Sequence, residues 1–433
     1  MTKEFKDYRI CKGHIPIDIG NNELVSVERN APLKMYGLGF QAAKCIPEIP
    51  EWFINKYSRR GIDYKILDPF AGSGTTIIEA LKNNNTVFWA DNNPLSRLIC
   101  RCKSVIIEPE VLSDQLDDMT PLFSIDSEVN VEIVFANRDL WFQKPVQEAL
   151  TIIKSLIKEI NNEDVQNAFL LAFSITVRKM SEMEDSMILA ARRSNNREII
   201  QYSRKDVYDN FVFNMNRVIE AYDEWKKIIK KPHSFDLETN DARVITKNNY
   251  FDAIVTSPPY INAMDYIWAT KFELHWLDMV EDDKERLAIS DKEIGTERIK
   301  AKEYKELAVS EDERLNRILS DIYFGKKYKA TKGQNEMRSR VVYRYFNDMD
   351  THFKSAYNAL KTGGKYCFII GDVSTICGVE IPVANMLRDI AEKNGFRESF
   401  RFNLLLKNRR LNIPRASFAG TIKHDTVIVL EKE

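Results

Sequence analysis

Two kinds of hydrophobic pattern alternate along this chain, and their order predicts strands and helices in turn. Short apolar runs such as YKIL and TVFWA have the length and the bounded ends of buried strands. Longer stretches, such as VQEALTIIKSLIKEI and VFNMNRVIEAYDEWKKIIKK, space apolar residues three and four positions apart, which is typical of amphipathic helices. Because strands alternate with helices, we expect an α/β protein with a mostly parallel sheet.

The pattern divides the chain into three regions. Residues 1–103 contain a proline-punctuated turn that leads into a helix, and then a βαβ unit with a glycine loop. Residues 104–235 are predicted to be an inserted helical domain, which is a candidate for target recognition. Residues 236–433 return to strands and helices, with a charged insertion at about 278–345.

Several elements of the third region have definite predicted bounds. The run ARVIT, from Ala242, predicts a strand before the strand FDAIV. The helix VVYRYFNDMDTHFKSAYNAL is expected to end at Gly363 and Gly364, since paired glycines are a stop signal. The last three strands are predicted at KYCFIIGDVS, SFRFNLLL and DTVIVLEK. The densely charged stretch 278–314 is predicted to form solvated helices.

Composition excludes several classes of protein. The 433 residues are 44% hydrophobic and 29% charged, which is ordinary for a globular protein, and no apolar run reaches membrane-spanning length. The N-terminal stretch MTKEFKDYRICKGH is polar and has no signal core, so we expect a cytoplasmic protein without membrane contact. The formal net charge is −1, so any nucleic acid would be bound by local basic patches.

The cysteines do not predict a metal site. Of the six, only Cys100 and Cys102 are close together, and no second pair stands at the spacing of zinc ligands. We therefore expect reduced, structural thiols.

A glycine loop, DPFAGSGTT, follows the strand YKIL. Gly72 and Gly74 allow a tight turn that brings backbone N–H groups close to a ligand. The loop lacks the lysine of a phosphate-binding P-loop and the third glycine of a dinucleotide site, which indicates a ligand without phosphate. Asp91 lies 23 residues beyond Asp68, where a carboxylate can accept hydrogen bonds from ribose hydroxyls. A nucleoside held in this way suggests S-adenosyl-L-methionine.

A rigid corner, TSPPY, follows the strand FDAIV. Pro258 and Pro259 fix the backbone and remove two N–H donors, so nearby carbonyls can face a ligand. Ser257 adds a hydroxyl acceptor, and Tyr260 offers a ring for stacking. Acceptors beside a stacking ring suit a planar base with an exocyclic amine. Hydrogen bonds from both amine hydrogens to Ser257 and the Pro258 carbonyl would draw the nitrogen toward tetrahedral geometry and favour its methylation.

Together, DPFAGSGTT and TSPPY resemble the amino-methyltransferases of DNA, which modify cytosine N4 or adenine N6. The resemblance covers roughly 30–103 and 236–433 and implies a Rossmann-like, seven-stranded methyltransferase sheet with an antiparallel final hairpin. It implies catalytic roles for Ser257, Pro258, Pro259 and Tyr260. It implies cofactor-binding roles for Lys44, Asp68, Pro69, Phe70, Gly72, Gly74, Thr75, Asp91, Asn92, Asp241 and Ala242.

Individual residues show where the chain matches the motifs of this family and where it departs from them. Asp241 corresponds to the residue that binds the adenine amine of the cofactor. The segment QAAKCIPEIP resembles the N-terminal cofactor motif, with Ala42 where proline is usual and Cys45 where an aromatic residue is usual. Serine before the prolines resembles the cytosine-N4 branch, because the adenine enzymes mostly carry Asp or Asn there. The segments DYIWATKFELHWL and EIGTERI resemble elements of one subfamily.

The target base must be flipped out of the duplex to reach such a corner, so phosphate contacts are expected around it. Three stretches rich in Lys and Arg are candidates for these contacts. They are 323–345, the segment with Lys407, Arg409, Arg410 and Arg415, and the segment with Arg192, Arg193, Arg197 and Arg204. The chemistry needs no histidine, so His275 and His352 are expected to be structural or on the surface.

The favoured interpretation is a site-specific DNA methyltransferase of a restriction-modification system that acts on cytosine N4. An adenine-N6 DNA methyltransferase, a tRNA or RNA guanine-N2 methyltransferase and a catalytically silent nucleic-acid-binding subunit are the alternatives. The expected partners are double-stranded DNA and a restriction endonuclease, and the expected state is a monomer or a homodimer.

Overall fold

Alternate residues of the strand Phe251–Thr256 enter two different hydrophobic clusters. Ala253 and Val255 belong to one cluster, whereas Ile254 between them belongs to the other. Successive side chains of a strand point to opposite faces of its sheet. Both faces are therefore covered, which explains why this strand is apolar throughout.

The computed structural model describes residues 8–41, 44–58, 63–184, 187–192, 200–237, 239–261, 265–331, 333–405 and 424–433. Its strands are β1 (Arg9–Lys12), β2 (Leu24–Glu28), β3 (Lys65–Asp68), β4 (Thr86–Trp89), β5 (Ser234–Asp236), β6 (Phe251–Thr256), β7 (Leu360–Gly371), β8 (Ser374–Ile376), β9 (Val379–Ile381), β10 (Phe396–Leu405) and β11 (His424–Lys432).

The helices are α1 (Glu48–Tyr57), α2 (Thr75–Lys82), α3 (Pro94–Lys103), α4 (Pro109–Met119), α5 (Arg138–Trp141), α6 (Lys144–Lys158), α7 (Glu163–Lys179), α8 (Arg204–Ile228), α9 (Tyr266–Ala269), α10 (Lys271–Trp276), α11 (Asp283–Ser290), α12 (Glu313–Tyr323), α13 (Gln334–Ala359) and α14 (Val383–Lys393). Short 3-10 turns cover Lys34–Gly37, Thr120–Leu122 and Ala301–Glu303.

A nine-stranded sheet in the order β1-β2-β10-β11-β7-β6-β3-β4-β5 forms the centre of the protein. All neighbours pair in parallel except β11, which lies antiparallel between β7 and β10. The mostly parallel sheet and the antiparallel final hairpin are as expected. The described sheet has two strands more than the seven expected, because β1 and β2 extend it beyond β10.

The predicted βαβ unit is confirmed as β3, α2 and β4. The strands β3, β4 and β6 run in parallel, so they end at one edge of the sheet. Loops that follow the carboxyl ends of neighbouring parallel strands meet at that edge, which is where α/β proteins place their ligands.

The predicted strand ARVIT is wrong. The Asp241 carboxylate accepts a hydrogen bond from the Arg243 backbone N–H at 3.0 Å, which holds a turn. The Ile245 N–H donates to the Ser355 hydroxyl at 2.9 Å instead of to a neighbouring strand. The strand beside β4 is β5, which comes earlier in the chain.

The predicted helix end at the paired glycines is also wrong. Helix α13 ends at Ala359, and Leu360 already belongs to β7. Gly363 has φ +74 and lies where the register between β6 and β7 shifts. The glycines therefore lie within an irregular strand and do not end a helix. The charged stretch 278–314 is only partly helical, in α11 and the start of α12.

Helices α4 to α8 fill the region 104–235, as the apolar spacing predicts. Ile153, Phe169 and Trp225 of these helices belong to the same buried cluster as Ile66 and Val87 of the sheet. The inserted helices therefore share a hydrophobic core with one face of the sheet. No described helix is long and apolar enough to span a bilayer.

Candidate active site

One cleft at the carboxyl edge of β3, β4 and β6 brings together the residues that the sequence singles out. It is lined by every predicted site residue except Gly74. These are Lys44, Asp68, Pro69, Phe70, Gly72, Thr75, Asp91, Asn92, Asp241, Ala242, Ser257, Pro258, Pro259 and Tyr260. Segments that lie nearly 200 residues apart in the chain thus face one space.

The glycine loop is pinned to the end of β4. Gly72 has φ +50, and its N–H donates a 2.8 Å hydrogen bond to Asp91 Oδ2. The Ala71 N–H donates to the Ala90 carbonyl at 3.0 Å. Gly74 has φ +71 and faces the protein interior, where an added Cβ would lie 3.3 Å from Lys103 Cδ. Gly74 therefore shapes the loop without lining the cleft.

A fully buried lysine donates a hydrogen bond to the backbone of the glycine loop. Lys103 is the last residue of α3, and its Nζ donates a 2.8 Å hydrogen bond to the Ser73 carbonyl. Burial lowers its pKa to about 7, and the neighbouring Lys44 charge acts in the same direction. The sequence analysis missed this contact, because nothing in the local pattern of α3 marks a lysine that turns inward.

Asp91 is held by backbone donors but keeps acceptor capacity. Its Oδ1 accepts from the Asn93 N–H at 2.8 Å, while Oδ2 accepts from Gly72. A carboxylate offers about four lone-pair sites, so further hydrogen bonds remain available. Burial raises the pKa of Asp91, and the two backbone bonds oppose that rise. The neighbouring Asn92 side chain donates to the Ile289 carbonyl at 3.2 Å.

Asp68 links the glycine loop to the strand that carries the second motif. Its Oδ1 accepts a 2.6 Å hydrogen bond from the Thr256 hydroxyl and a 3.2 Å bond from the Phe70 N–H. Burial raises the pKa of Asp68 to about 6, although the hydroxyl bonds lower it. The cleft thus contains a carboxyl group that titrates close to neutrality.

Lys44 and Cys45 connect the N-terminal motif to the loop. The Lys44 ammonium donates to the backbone carbonyls of Tyr36 and Gly39 at 3.3 and 3.4 Å. The Cys45 carbonyl accepts a 3.4 Å bond from the Thr75 hydroxyl. Ala42 lies outside the described residues.

Asp241 is engaged by an arginine that the sequence analysis did not consider. Arg243 donates from Nε to Asp241 Oδ1 at 2.8 Å and from Nη2 to Oδ2 at 2.9 Å. Burial raises the pKa of Asp241 and the Arg243 bonds lower it, with a net fall. Any ligand amine at Asp241 would share the carboxylate with this guanidinium.

His352 contacts two residues that line the cleft, Ala242 and Phe70. The fully buried ring contacts the Ala242 carbonyl through Nδ1 and the Tyr366 hydroxyl through Nε2, both at 2.7 Å. Its centroid lies 4.9 Å from that of Phe70, in an edge-on arrangement. Burial lowers the pKa of His352 to about 4, so the ring is neutral at pH 7. The prediction that His352 is structural agrees with these contacts.

Two arginines donate hydrogen bonds to the backbone carbonyls of two consecutive residues beside the cleft. Arg243 Nη2 donates to the Lys292 carbonyl at 3.0 Å, and Arg344 Nη2 donates to the Asp291 carbonyl at 2.7 Å. Both guanidiniums also pair with Asp348 of α13, at 2.9 and 3.8 Å. This carbonyl clamp, formed by Arg243, Arg344 and Asp348, fixes the backbone just before Glu293.

The Ser-Pro-Pro-Tyr corner follows β6 without a break. Ser257, Pro259 and Tyr260 are half-buried, and Pro258 is buried. The Tyr345 hydroxyl donates a 3.0 Å hydrogen bond to the Pro259 carbonyl, which holds the corner from α13. Among the described residues, no protein donor reaches the Ser257 hydroxyl or the Pro258 carbonyl, so both can accept bonds from a ligand.

The motif EIGTERI also reaches the cleft, which the sequence analysis did not predict. Glu293 and Ile294 line it beside Tyr260 and Tyr266. The resemblance marked the motif as a family element without giving it a role. A buried acid in an otherwise charged, solvated stretch gives no local signal, since its burial depends on contacts from distant segments.

The basic stretches are only partly available for phosphate. Lys326, Arg338 and Arg204 pair with Asp321, Glu297 and Glu148, respectively, whereas Lys327 and Lys329 are exposed. Lys407, Arg409, Arg410, Arg415, Arg193 and Arg197 lie outside the described residues. Within the described ranges, no three His, Cys, Asp or Glu side chains group as metal ligands would.

Comparisons with known proteins identify relatives along most of the chain. Type II methyltransferase M.MvaI of Kocuria varians is 27% identical over 395 residues, which are 85% of this chain and 83% of that protein. Type II methyltransferase M.BsoBI of Geobacillus stearothermophilus is 24% identical over 424 residues, 87% of this chain and 81% of that protein. No protein-family model matches. The chain is thus a distant homologue of type II methyltransferases.

Proposed function

We propose that this chain transfers a methyl group from S-adenosyl-L-methionine to the exocyclic amine of a base flipped out of double-stranded DNA, and that the base is cytosine, methylated at N4. One observation carries the proposal: the glycine loop and the Ser-Pro-Pro-Tyr corner line the same cleft. The bond between Asp68 and the Thr256 hydroxyl, one residue before the corner, ties the two together.

The residues at the loop end of the cleft fit S-adenosyl-L-methionine. Asp91 has acceptor capacity for the ribose hydroxyls, and Asp241 can accept from the adenine amine beside Arg243. The carboxylates of Asp68 and Asp91 suit a ligand that carries ammonium and sulfonium charges, and Lys44 lines the same cleft. When bound, the cofactor supplies an electrophilic methyl group on its sulfonium.

The corner prepares the amine for attack. The Ser257 hydroxyl and the Pro258 carbonyl accept the two amine hydrogens, which localises the lone pair on nitrogen. The two prolines and the Tyr345 hydroxyl keep these acceptors in place, so little reorganisation is needed in the transition state. The Tyr260 ring stacks on the base and holds its plane.

The base assignment rests on Ser257. Serine at this position favours cytosine N4, while adenine N6 is the second candidate because the same corner can hold its amine. Guanine N2 in RNA and a silent binding subunit are less favoured, since each chemically needed residue lines the cleft.

The wider architecture supports the same proposal. We propose that strands β3 to β7 with β10 and β11 are the seven strands of a Rossmann-like methyltransferase sheet. We propose the region 104–235 as the segment that reads the DNA sequence, and a restriction endonuclease as the functional partner of the enzyme.

Mass spectrometry of nucleosides from cells that express the chain tests the proposal. N4-methylcytosine is expected in their DNA and should be lost with Ser257→Ala. N6-methyladenine alone would overturn the base and keep the enzyme class. Methylated tRNA with unmodified DNA would contradict the substrate, and no binding of S-adenosyl-L-methionine by calorimetry would contradict catalysis.

A further inference from the structure

Glu293 is a polar residue of the cleft that the chemistry proposed above leaves unused. Only 9% of its surface is exposed, and it lines the cleft beside Tyr260, the residue proposed to stack on the base. It follows α11, whereas the corner follows β6, so the two walls of this end of the cleft come from different segments.

The Glu293 carboxyl group shares the Ser290 hydroxyl with a second acid, Asp265. Ser290 Oγ lies 3.0 Å from Asp265 Oδ2 and 3.3 Å from Glu293 Oε2. A hydroxyl has one hydrogen and can donate to only one of these acids. The contact to Asp265 is the shorter one, and a proton on Glu293 lets the 3.3 Å contact form a second hydrogen bond, with Glu293 as the donor.

The surroundings of Glu293 favour the neutral acid. Burial raises its pKa well above the usual value, and the nearby Asp265 charge adds to the rise. Lys292, the adjacent cation, lines the cleft as well, while Arg243 and Asp348 compensate each other behind the backbone. Tyr266 is the other titratable group of this wall.

The position of Glu293 is fixed before any ligand arrives. The carbonyl clamp holds Asp291 and Lys292, the two residues before it. The Ile267 N–H contributes a backbone hydrogen bond to its carboxyl group. A side chain held in this way can discriminate between ligands, because little ordering is left to occur on binding.

We infer that Glu293, as a neutral acid, selects the target base by donating a hydrogen bond to the ring nitrogen next to the exocyclic amine. This inference rests on the proposed function and narrows its substrate. Cytosine N3 and adenine N1 are acceptors beside an amine, whereas guanine N1 carries a hydrogen beside its amine. A hydroxyl donor at Glu293 therefore pairs with cytosine N3 or adenine N1 and finds no acceptor at guanine N1. Ser290 continues to hold Asp265 when the Glu293 hydrogen turns toward the base.

A pair of variants tests the inference, because glutamine imitates the neutral acid and alanine does not. Glu293→Gln keeps a carbonyl acceptor and an N–H donor, so methyl incorporation into DNA should remain within about threefold of wild type. Glu293→Ala should lower kcat/KM for DNA by about 10- to 100-fold. Affinity for S-adenosyl-L-methionine, measured by calorimetry, should be unchanged in both. Asp291→Asn, an exposed neighbour outside the cleft, is the matched control.

The pH profile is a second readout. The wild type should lose activity on DNA as rising pH removes the Glu293 proton, and Glu293→Gln should lack this alkaline fall. Equal losses in both variants would show that the ionised carboxylate is needed, and an active alanine variant would show that Glu293 is not used; either result overturns the inference. If the wild type binds cofactor but methylates no DNA, the proposed function fails first and the inference with it.

Discussion

The two ends of the cleft are built in different ways. Most of the loop end comes from one continuous segment, in which Asp68, Gly72 and Asp91 contact one another directly or through their neighbours. The corner end joins residues from three separate parts of the chain. Pro259 follows β6, Glu293 follows α11, and Tyr345 lies in α13. The first end depends on local backbone geometry, and the second depends on how distant elements pack.

This difference has a consequence for electrostatics as well. The loop end holds Asp68, whose ionised form suits a cationic ligand, while the corner end holds Glu293, whose neutral form suits a base. The clamp residue Arg243 connects them, since it bonds Asp241 at one end and the Lys292 carbonyl at the other. Substitutions should therefore affect one end alone, except at Arg243 and at Asp68, whose bond to the Thr256 hydroxyl reaches the strand before the corner.

The largest effect is expected for Arg243→Met. Removing one partner of a mostly buried ion-pair network leaves Asp241 uncompensated and Asp348 with only its 3.8 Å pair to Arg344, so the free energy of unfolding should fall by about 3 kcal/mol. Affinity for S-adenosyl-L-methionine and activity on DNA should both decline. Urea unfolding and calorimetry measure the two. Arg298→Met, which breaks an exposed pair with Asp291, should cost less than about 1 kcal/mol.

Asp91→Ala tests whether the loop end binds the cofactor without affecting the corner end. The lost hydrogen bonds to a charged group should weaken binding of S-adenosyl-L-methionine by about 1.5–3 kcal/mol. DNA affinity should stay near wild type, because Asp91 lies at the other end of the cleft from Tyr260. A folded variant with an unchanged dissociation constant would remove Asp91 from the cofactor site.

Tyr260→Ala is the counterpart at the corner end. Stacking of a base on an aromatic ring contributes about 1–3 kcal/mol, so methylation of DNA should fall while calorimetric affinity for the cofactor is retained. Tyr260→Phe keeps the ring and should stay close to wild type. A loss of cofactor affinity in the alanine variant would mean that the two ends are not separable.

The smallest effect is a pH dependence of cofactor binding. Asp68 has a raised pKa of about 6, so it is protonated below that pH and ionised above it. A cationic ligand favours the ionised form, and affinity should rise about tenfold between pH 5 and 7. Asp68→Asn should bind weakly with no such rise, and a pH-dependent Asn variant would assign the titration elsewhere.

The sequence predicts the loop end well, because its structure follows from short-range rules. A strand, two glycines with positive φ and an acid at the end of the next strand are separated by few residues, and they fold as the pattern indicates. The same holds for the βαβ unit and the mostly parallel sheet.

Of the residues at the corner end, the sequence analysis predicted only those in TSPPY. Glu293, Arg243 and Lys103 owe their positions to neighbours far away in the chain, and a pattern of polar and apolar residues does not encode such partners. The wrong strand at ARVIT has the same origin, since the side chains of Asp241 and Ser355 take the hydrogen bonds that a strand would need.

The position of β11 has a consequence for biosynthesis. This strand, last among the described strands, separates β7 from β10, and β10 in turn carries β2 and β1. Until β11 has left the ribosome, strands β1, β2 and β10 of a nascent chain have no strand through which to join β7 and the rest of the sheet. Such long-range pairing forms slowly and leaves hydrophobic edges open. Asp425 and Ile369, which complete the cleft wall, also come together only then, so the newly made protein acquires its cleft after nearly all of these 433 residues have emerged.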